Sequence, residues 1–114
     1  MRANATIFIT GATGFIGRHI ASRLLQAGYR VQAQIRLGRQ RDERVPPACE
    51  QIPVGLTDTE KLMDIVDKAD AVICCAGSVR GRRAEDFAEA NIDAVDAMAQ
   101  ALENSVNTPP LLLL

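Results

Sequence analysis

IFITGATGFIG, residues 7–17, changes character twice within one short stretch. Ile7-Phe8-Ile9 is an apolar run of strand length. Gly11, Gly14 and Gly17 follow at three-residue spacing, and from Phe15 onward the apolar positions fall at helical intervals. A buried strand that feeds a helix through a glycine turn can open a layered sheet-and-helix fold, and the residues downstream decide whether it does.

Working outward, Thr6–Ile9 is expected as a buried strand. Phe15–Ala27 is expected as a helix with Phe15, Ile16, Ile20, Leu24 and Ala27 on its buried face, closed by Gly28. Val31–Ile35 alternates as a second strand. Leu37–Ala48 is polar and Arg-rich, ends in Pro46-Pro47, and is expected as a loop. Glu50–Val54 is a weaker strand, placed at an edge by Pro53. A helix over Thr59–Asp67 takes Asp58 or Thr57 as its cap. Ala71–Cys75 is a short apolar strand, 77–83 a loop, and Ala84–Glu103 a long helix. Leu111–Leu114, after Pro109-Pro110, has the composition of the opening of a buried strand. Short apolar strands alternating with helices imply α/β architecture, a doubly wound parallel sheet covered on both faces. No repeat and no second domain is visible, so residues 1–114 are read as one domain.

The bulk properties fit that fold and exclude other classes. Of 114 residues, 47% are hydrophobic and 24% charged, which is globular composition. A formal net charge of −1 gives no reason to expect a nucleic acid or a membrane surface as partner. No apolar stretch approaches the roughly 20 residues of a membrane span. No signal peptide is visible, and the three cysteines, Cys49, Cys74 and Cys75, are an odd number. Reduced thiols and a cytoplasmic location are therefore expected. A metal site is not: Cys74 and Cys75 are adjacent and point to opposite faces of a strand, and the single histidine, His19, is far away in sequence.

In a doubly wound sheet, ligands bind at the carboxyl ends of the strands. The first strand ends at Thr10-Gly11, and the helix after it presents free N–H groups and a partial positive charge, which suit a pyrophosphate. In that role Gly11 permits the tight turn, Gly14 lets phosphate oxygens approach the backbone, and Gly17 lets the helix pack close. The spacing is G-x-x-G-x-x-G, a variant of the common G-x-G-x-x-G fingerprint.

Thr10-Gly11-Ala12-Thr13-Gly14-Phe15-Ile16-Gly17 resembles the TGxxGxxG signature of the extended short-chain dehydrogenase/reductases, the NAD(P)-dependent epimerase/dehydratase superfamily. The resemblance continues through Gly55-Leu56-Thr57-Asp58, residues 70–77 (DAVICCAG) and Asn91, over essentially the whole chain. It implies a Rossmann-like fold represented by its N-terminal part, truncated after the start of the fifth strand. It also implies a dinucleotide held by Gly11, Thr13, Gly14, Phe15, Ile16, Gly17, Leu56, Cys75, Ala76 and Gly77.

The choice of dinucleotide turns on the end of the second strand. NAD binders place an acid there for the ribose 2′-OH. This chain has Arg36, with Arg39 and Arg41 nearby and no acid before Asp42. Arg can pair bidentately with a 2′-phosphate, so NADP is favoured and NAD is the alternative. The competing reading of Arg36 is a solvated strand end. Relatives often hold the adenine amino group with an acid where this chain has Gly55. Leu56 can still cover the ring, and Asp58 is better suited to capping than to cofactor contact.

On the last helix, Phe87, Asn91, Val95, Met98 and Leu102 form one stripe. Asn91 there is either a structural tie or, as the resemblance implies, a residue supporting the active site. His19 is read as a surface residue, and Arg80, Arg82 and Arg83 as a solvated loop that could meet a substrate phosphate. The family's chemistry uses a Tyr and a Lys spaced Y-x-x-x-K. The single Tyr here is Tyr29, with Ala33 four residues on. The expectation is the cofactor-binding half of an NAD(P)-dependent epimerase, dehydratase or reductase acting on a small molecule such as a nucleotide sugar, inactive by itself and prone to self-associate. The alternative is a non-enzymatic NADP-binding sensor or structural subunit.

Overall fold

The computed structural model describes residues 3–75 and 84–114, with side chains throughout except at 84–91. Along the chain it runs β1 (Thr6–Thr10), α1 (Phe15–Gln26), β2 (Arg30–Ile35), β3 (Glu50–Pro53), α2 (Thr59–Asp67), β4 (Ala71–Cys74), α3 (Ala84–Asn104) and β5 (Leu111–Leu113). The strands form one parallel sheet in the order β3-β2-β1-β4-β5. This is the doubly wound, Rossmann-like arrangement expected from the alternation of strands and helices.

Strand alternation divides the core in two. From β1, Ile7 and Ile9 point to the face covered by α1, where they meet Ala21, Val31, Ala33, Ile35 and Ile73. Phe8 points to the other face, among Val54, Leu62, Val66, Val72, Met98 and Leu102, beneath the mutually packed α2 and α3. Neighbouring residues in a strand face opposite ways, so one apolar strand serves both cores. The same rule separates the adjacent cysteines: Cys74 packs with the α2/α3 core and Cys75 with the α1 core. Burial pushes both thiols up.

Three burial patterns differ from expectation. Phe15 and Ile16 are exposed at 70% and 64%, and the contact face of α1 is instead Gly17 and Ala21, with Ile20, Leu24 and Leu25 beside them. The helix begins so close to β1 that only small residues fit at its contact, and its first turn looks outward at the sheet's carboxyl edge. On α3, Val95 is exposed and the buried stripe is Ala97, Met98, Ala101 and Leu102. Leu111–Leu114 are exposed rather than buried, because β5 pairs with β4 on one side and has no described strand on the other. The connection into β5 is pinned by Asp67, which accepts from the N–H groups of Val106 (2.8 Å) and Asn107 (3.1 Å).

The Arg-rich stretch after β2 is more ordered than its composition implied. Val45 and Cys49 are buried in the α1-side core. Asp42, 2% exposed, is clipped to β3 by the Gln51 side chain. Gln51 Oε1 accepts from the Asp42 N–H at 2.7 Å, and Gln51 Nε2 donates to the Asp42 carbonyl at 3.1 Å.

Candidate functional site

The carboxyl end of the sheet brings three segments together: the glycine turn after β1, the segment after β2, and the turn between β3 and α2. At the first, Gly11 takes φ +81°, a left-handed conformation that glycine adopts without strain. Its carbonyl accepts from the Gly14 N–H at 3.1 Å, closing the turn. Gly17 lies directly against this turn: a Cβ there would stand 1.9 Å from the Gly11 oxygen. Gly14 differs. Its φ of −81° and ψ of 167° suit any residue, it is exposed, and an added Cβ would meet the Gly11 oxygen at 3.4 Å, an ordinary contact.

The two well-described helix starts contrast in chemistry. Asp58 caps α2, its carboxylate accepting from the Lys61 N–H at 3.2 Å, and Glu60 adds negative charge in the first turn. Gly14 gives α1 no side-chain cap, and the first turn holds no acid. The opening N–H groups of α1 are left for solvent or for a ligand, at the positive end of a helix 12 residues long.

Beside the glycine turn lies a cavity of about 700 Å³. Thr13, Arg36 and Leu56, all singled out in the sequence, line it together with Gln34, Asp42, Arg44, Val54, Gly55, Thr57 and Asp93. Gln34 fixes the wall by donating to the carbonyls of Ile35 (3.0 Å) and Val54 (2.8 Å), which ties the ends of β2 and β3 together. Arg36, exposed at the end of β2, stands at the rim.

Asp42, the first acid after β2, is occupied. Arg44 donates to it through its backbone N–H (3.0 Å), Nε (3.0 Å) and Nη2 (2.8 Å), and Arg39 lies 3.9 Å away. The hydrogen bonds from Arg44 hold its carboxyl at about 2, against the raising effect of burial. The Asp42–Arg44 pair and the Gln51 clip are not announced by the sequence, where an acid followed two residues later by an arginine in a polar stretch carries no periodic signal.

Cys75 follows β4 directly and lies beside the glycine turn, its N–H donating to the Thr10 carbonyl at 2.9 Å. Ala76, Gly77 and the Arg80, Arg82 and Arg83 group lie outside the described residues, as does the side chain of Asn91. His19 is exposed on α1, its ring 4.6 Å from that of Phe15 and its Nδ1 2.7 Å from the Phe15 carbonyl. Among the described residues no group of three His, Cys, Asp or Glu could hold a metal ion, and no helix is long and apolar enough to cross a membrane.

A sequence model of the NAD dependent epimerase/dehydratase family matches residues 7–112. Ceramide reductase of Caulobacter vibrioides is 36% identical over 104 residues, covering 87% of this chain and 31% of its own. The crystal structure of a provisionally assigned epimerase from Burkholderia cenocepacia superimposes with a TM-score of 0.77 at 34% identity, over 99% of this chain and 38% of that one. The Bordetella bronchiseptica enzyme WbmH, solved in complex with NAD+, superimposes with a TM-score of 0.70 at 26% identity, over 87% of this chain and 35% of that one. The chain spans about a third of the length of these relatives.

Proposed function

Because the chain belongs to the NAD dependent epimerase/dehydratase family, we propose that it binds NADP(H) across the glycine turn and the cavity beside it. The observation that carries this reading is the start of α1. It lacks a side-chain cap and a first-turn acid, and it opens beside a cavity with a free arginine at its rim. In this reading the N–H groups of Phe15, Ile16 and Gly17 receive the pyrophosphate, while Gly11 and Gly14 keep side chains out of its way. Thr13 and Leu56 flank the adenosine. Cys75, Ala76 and Gly77 border the nicotinamide ribose, and Asn91 supports that end of the site.

Arg36 sets the preference for NADP over NAD. It stands at the end of β2, where it can form a charge-assisted pair with a 2′-phosphate. The first acid after β2, Asp42, already holds Arg44 and is not free to accept from a ribose 2′-OH. A bound nicotinamide dinucleotide supplies hydride transfer. The chain's own part is to hold and orient it.

Proton transfer by a Tyr and Lys pair is not available within these 114 residues, because Tyr29 is the only tyrosine and Ala33 stands four positions on. The chain is accordingly read as the cofactor-binding half of an epimerase, dehydratase or reductase, with a small molecule such as a nucleotide sugar as substrate and no turnover from these residues alone. The exposed outer edge of β5 favours self-association of the chain.

Calorimetric titration with NADP+ tests the reading. Gly14→Val puts a side chain where the backbone accepts one and the pyrophosphate does not, so the variant folds and loses binding. Equal affinity in folded wild type and Gly14→Val removes the glycine turn from the site.

A further inference from the structure

Among the described residues, two acids line the cavity beside the glycine turn, Asp42 and Asp93. They are not equivalent. Asp42 is buried and saturated by Arg44. Asp93, on the third turn of α3, is exposed and its side chain has no ion pair or hydrogen bond among the described residues.

Layering fixes which part of the cavity Asp93 serves. α2 and α3 pack together on one face of the sheet, while α1 covers the other. Asp93 therefore belongs to the same side as Gly55, Leu56 and Thr57, which lead into α2. Thr13 stands on the α1 side, and Arg36 at the end of β2. The Gly55–Thr57 wall offers a branched apolar side chain from Leu56 and no side chain from Gly55, and among the described residues Asp93 adds a free charged acceptor on that side. A flat heteroaromatic base with a hydrogen-bond donor on its edge matches that set. The size also fits, since about 700 Å³ is within the range of small-ligand sites.

We propose that Asp93 reads the base of the bound nucleotide, its carboxylate accepting a hydrogen bond from the exocyclic amino group of adenine. The assignment rests on the dinucleotide reading above and makes Asp93 a specificity-determining residue. A carboxylate is acceptor-only at neutral pH. It therefore favours a base with an amino group at that edge over one that lacks it.

The test compares adenosine 2′,5′-bisphosphate with purine-riboside 2′,5′-bisphosphate, which lacks only the amino group. Each is titrated calorimetrically into wild type, Asp93→Ala and Asp93→Asn. Wild type should prefer the adenine compound by about tenfold, the size of one hydrogen bond to a charged acceptor. Asp93→Ala should bring the ratio near one, and Asp93→Asn, which keeps an acceptor without the charge, should fall between. A ratio unchanged in Asp93→Ala overturns the assignment. So does an equal tightening of both ligands, which would mark Asp93 as a charge that merely repels phosphate. NADP+ titrations of wild type and Gly14→Val separate the two ideas. If NADP+ binds and Gly14→Val abolishes it while the base ratio stays flat, only the role of Asp93 falls. If NADP+ and both bisphosphates fail to bind folded wild type, the dinucleotide reading falls and takes this one with it.

Discussion

Replacing Gly17 with alanine should destabilise the fold far more than the same change at Gly14, although both glycines belong to one short turn. A Cβ at position 17 would stand 1.9 Å from the Gly11 oxygen, 2.7 Å from its carbonyl carbon and 3.1 Å from the Ala12 Cα. All three are backbone atoms, so no flexible side chain can swing aside. The nearest contact is about 1.5 Å inside ordinary van der Waals distance. Relief requires α1 to lift from β1, whose residues Thr6–Thr10 are paired with strands on both sides. Overpacking of this kind costs about 3 kcal/mol, the upper part of the usual range. Alanine returns up to about 1 kcal/mol through helix propensity, leaving about 2 kcal/mol net. At position 14 the backbone suits alanine and the contact is ordinary, so the loss is at most about 1 kcal/mol, from exchanging glycine for alanine at a helix cap. Urea unfolding followed by circular dichroism measures both. With the slope usual for a small domain, Gly17→Ala should lower the midpoint by about 1 M. Equal midpoints for Gly17→Ala and wild type would refute the close approach of α1 to Gly11.

Three further outcomes are expected. Arg36→Ala should lose most of a preference for NADP+ over NAD+ worth about 1.5–3 kcal/mol, and equal binding of the two by wild type would remove Arg36 from that role. The Asp42 carboxyl is lower in the folded state, at about 2, than its ordinary 3.8, so its contribution is full above about pH 4 and is lost as the pH falls towards 2. Asp42→Asn should cost about 1 kcal/mol at neutral pH and flatten that part of the stability profile between pH 2 and 5 by thermal denaturation; an identical profile would sink the ion pair's role. The exposed β5 edge should make the chain dimeric or larger in sedimentation at several concentrations, and a monomer throughout, unchanged on deleting Leu111–Leu114, would rule this out.

Strand and helix positions were legible because each element is short, apolar at its own period and bounded by glycine, proline or a cap. Thr59–Asp67 has its expected bounds, and of the two expected caps, Asp58 and Thr57, the structure uses Asp58; the other elements differ by a residue or so at their ends. Burial was less legible, since it depends on neighbours that local periodicity does not contain. Phe15 and Ile16 continue the helical apolar pattern, yet Gly17 draws the helix so near β1 that they turn outward. The Leu111–Leu113 strand has the composition of a buried one and takes its exposure from the strand order. At the site, the glycine turn was visible as a motif. The Gln51 clip on Asp42 joins residues nine apart through a side chain bonded to backbone, and no local spacing announces such a bond.

The strand order also sets a timetable during synthesis. Phe8 is made before the residues that bury it, Val54, Leu62, Val66, Val72, Met98 and their neighbours. The pairing of Phe8 with Val72 that completes the middle of the sheet must wait for β4. At about 5–20 residues per second, the last of these partners leaves the ribosome roughly 5–20 s after Phe8 does. Throughout that interval the central strand can pair with β2, but its Phe8 face is bare. The α1 side, to which Ala21, Val31, Ala33 and Ile35 contribute, can begin to pack while the α2/α3 side has not yet been made, with Ile73 joining it later. The two halves of this core are therefore born at different times, with the largest side chain of β1 in the later half.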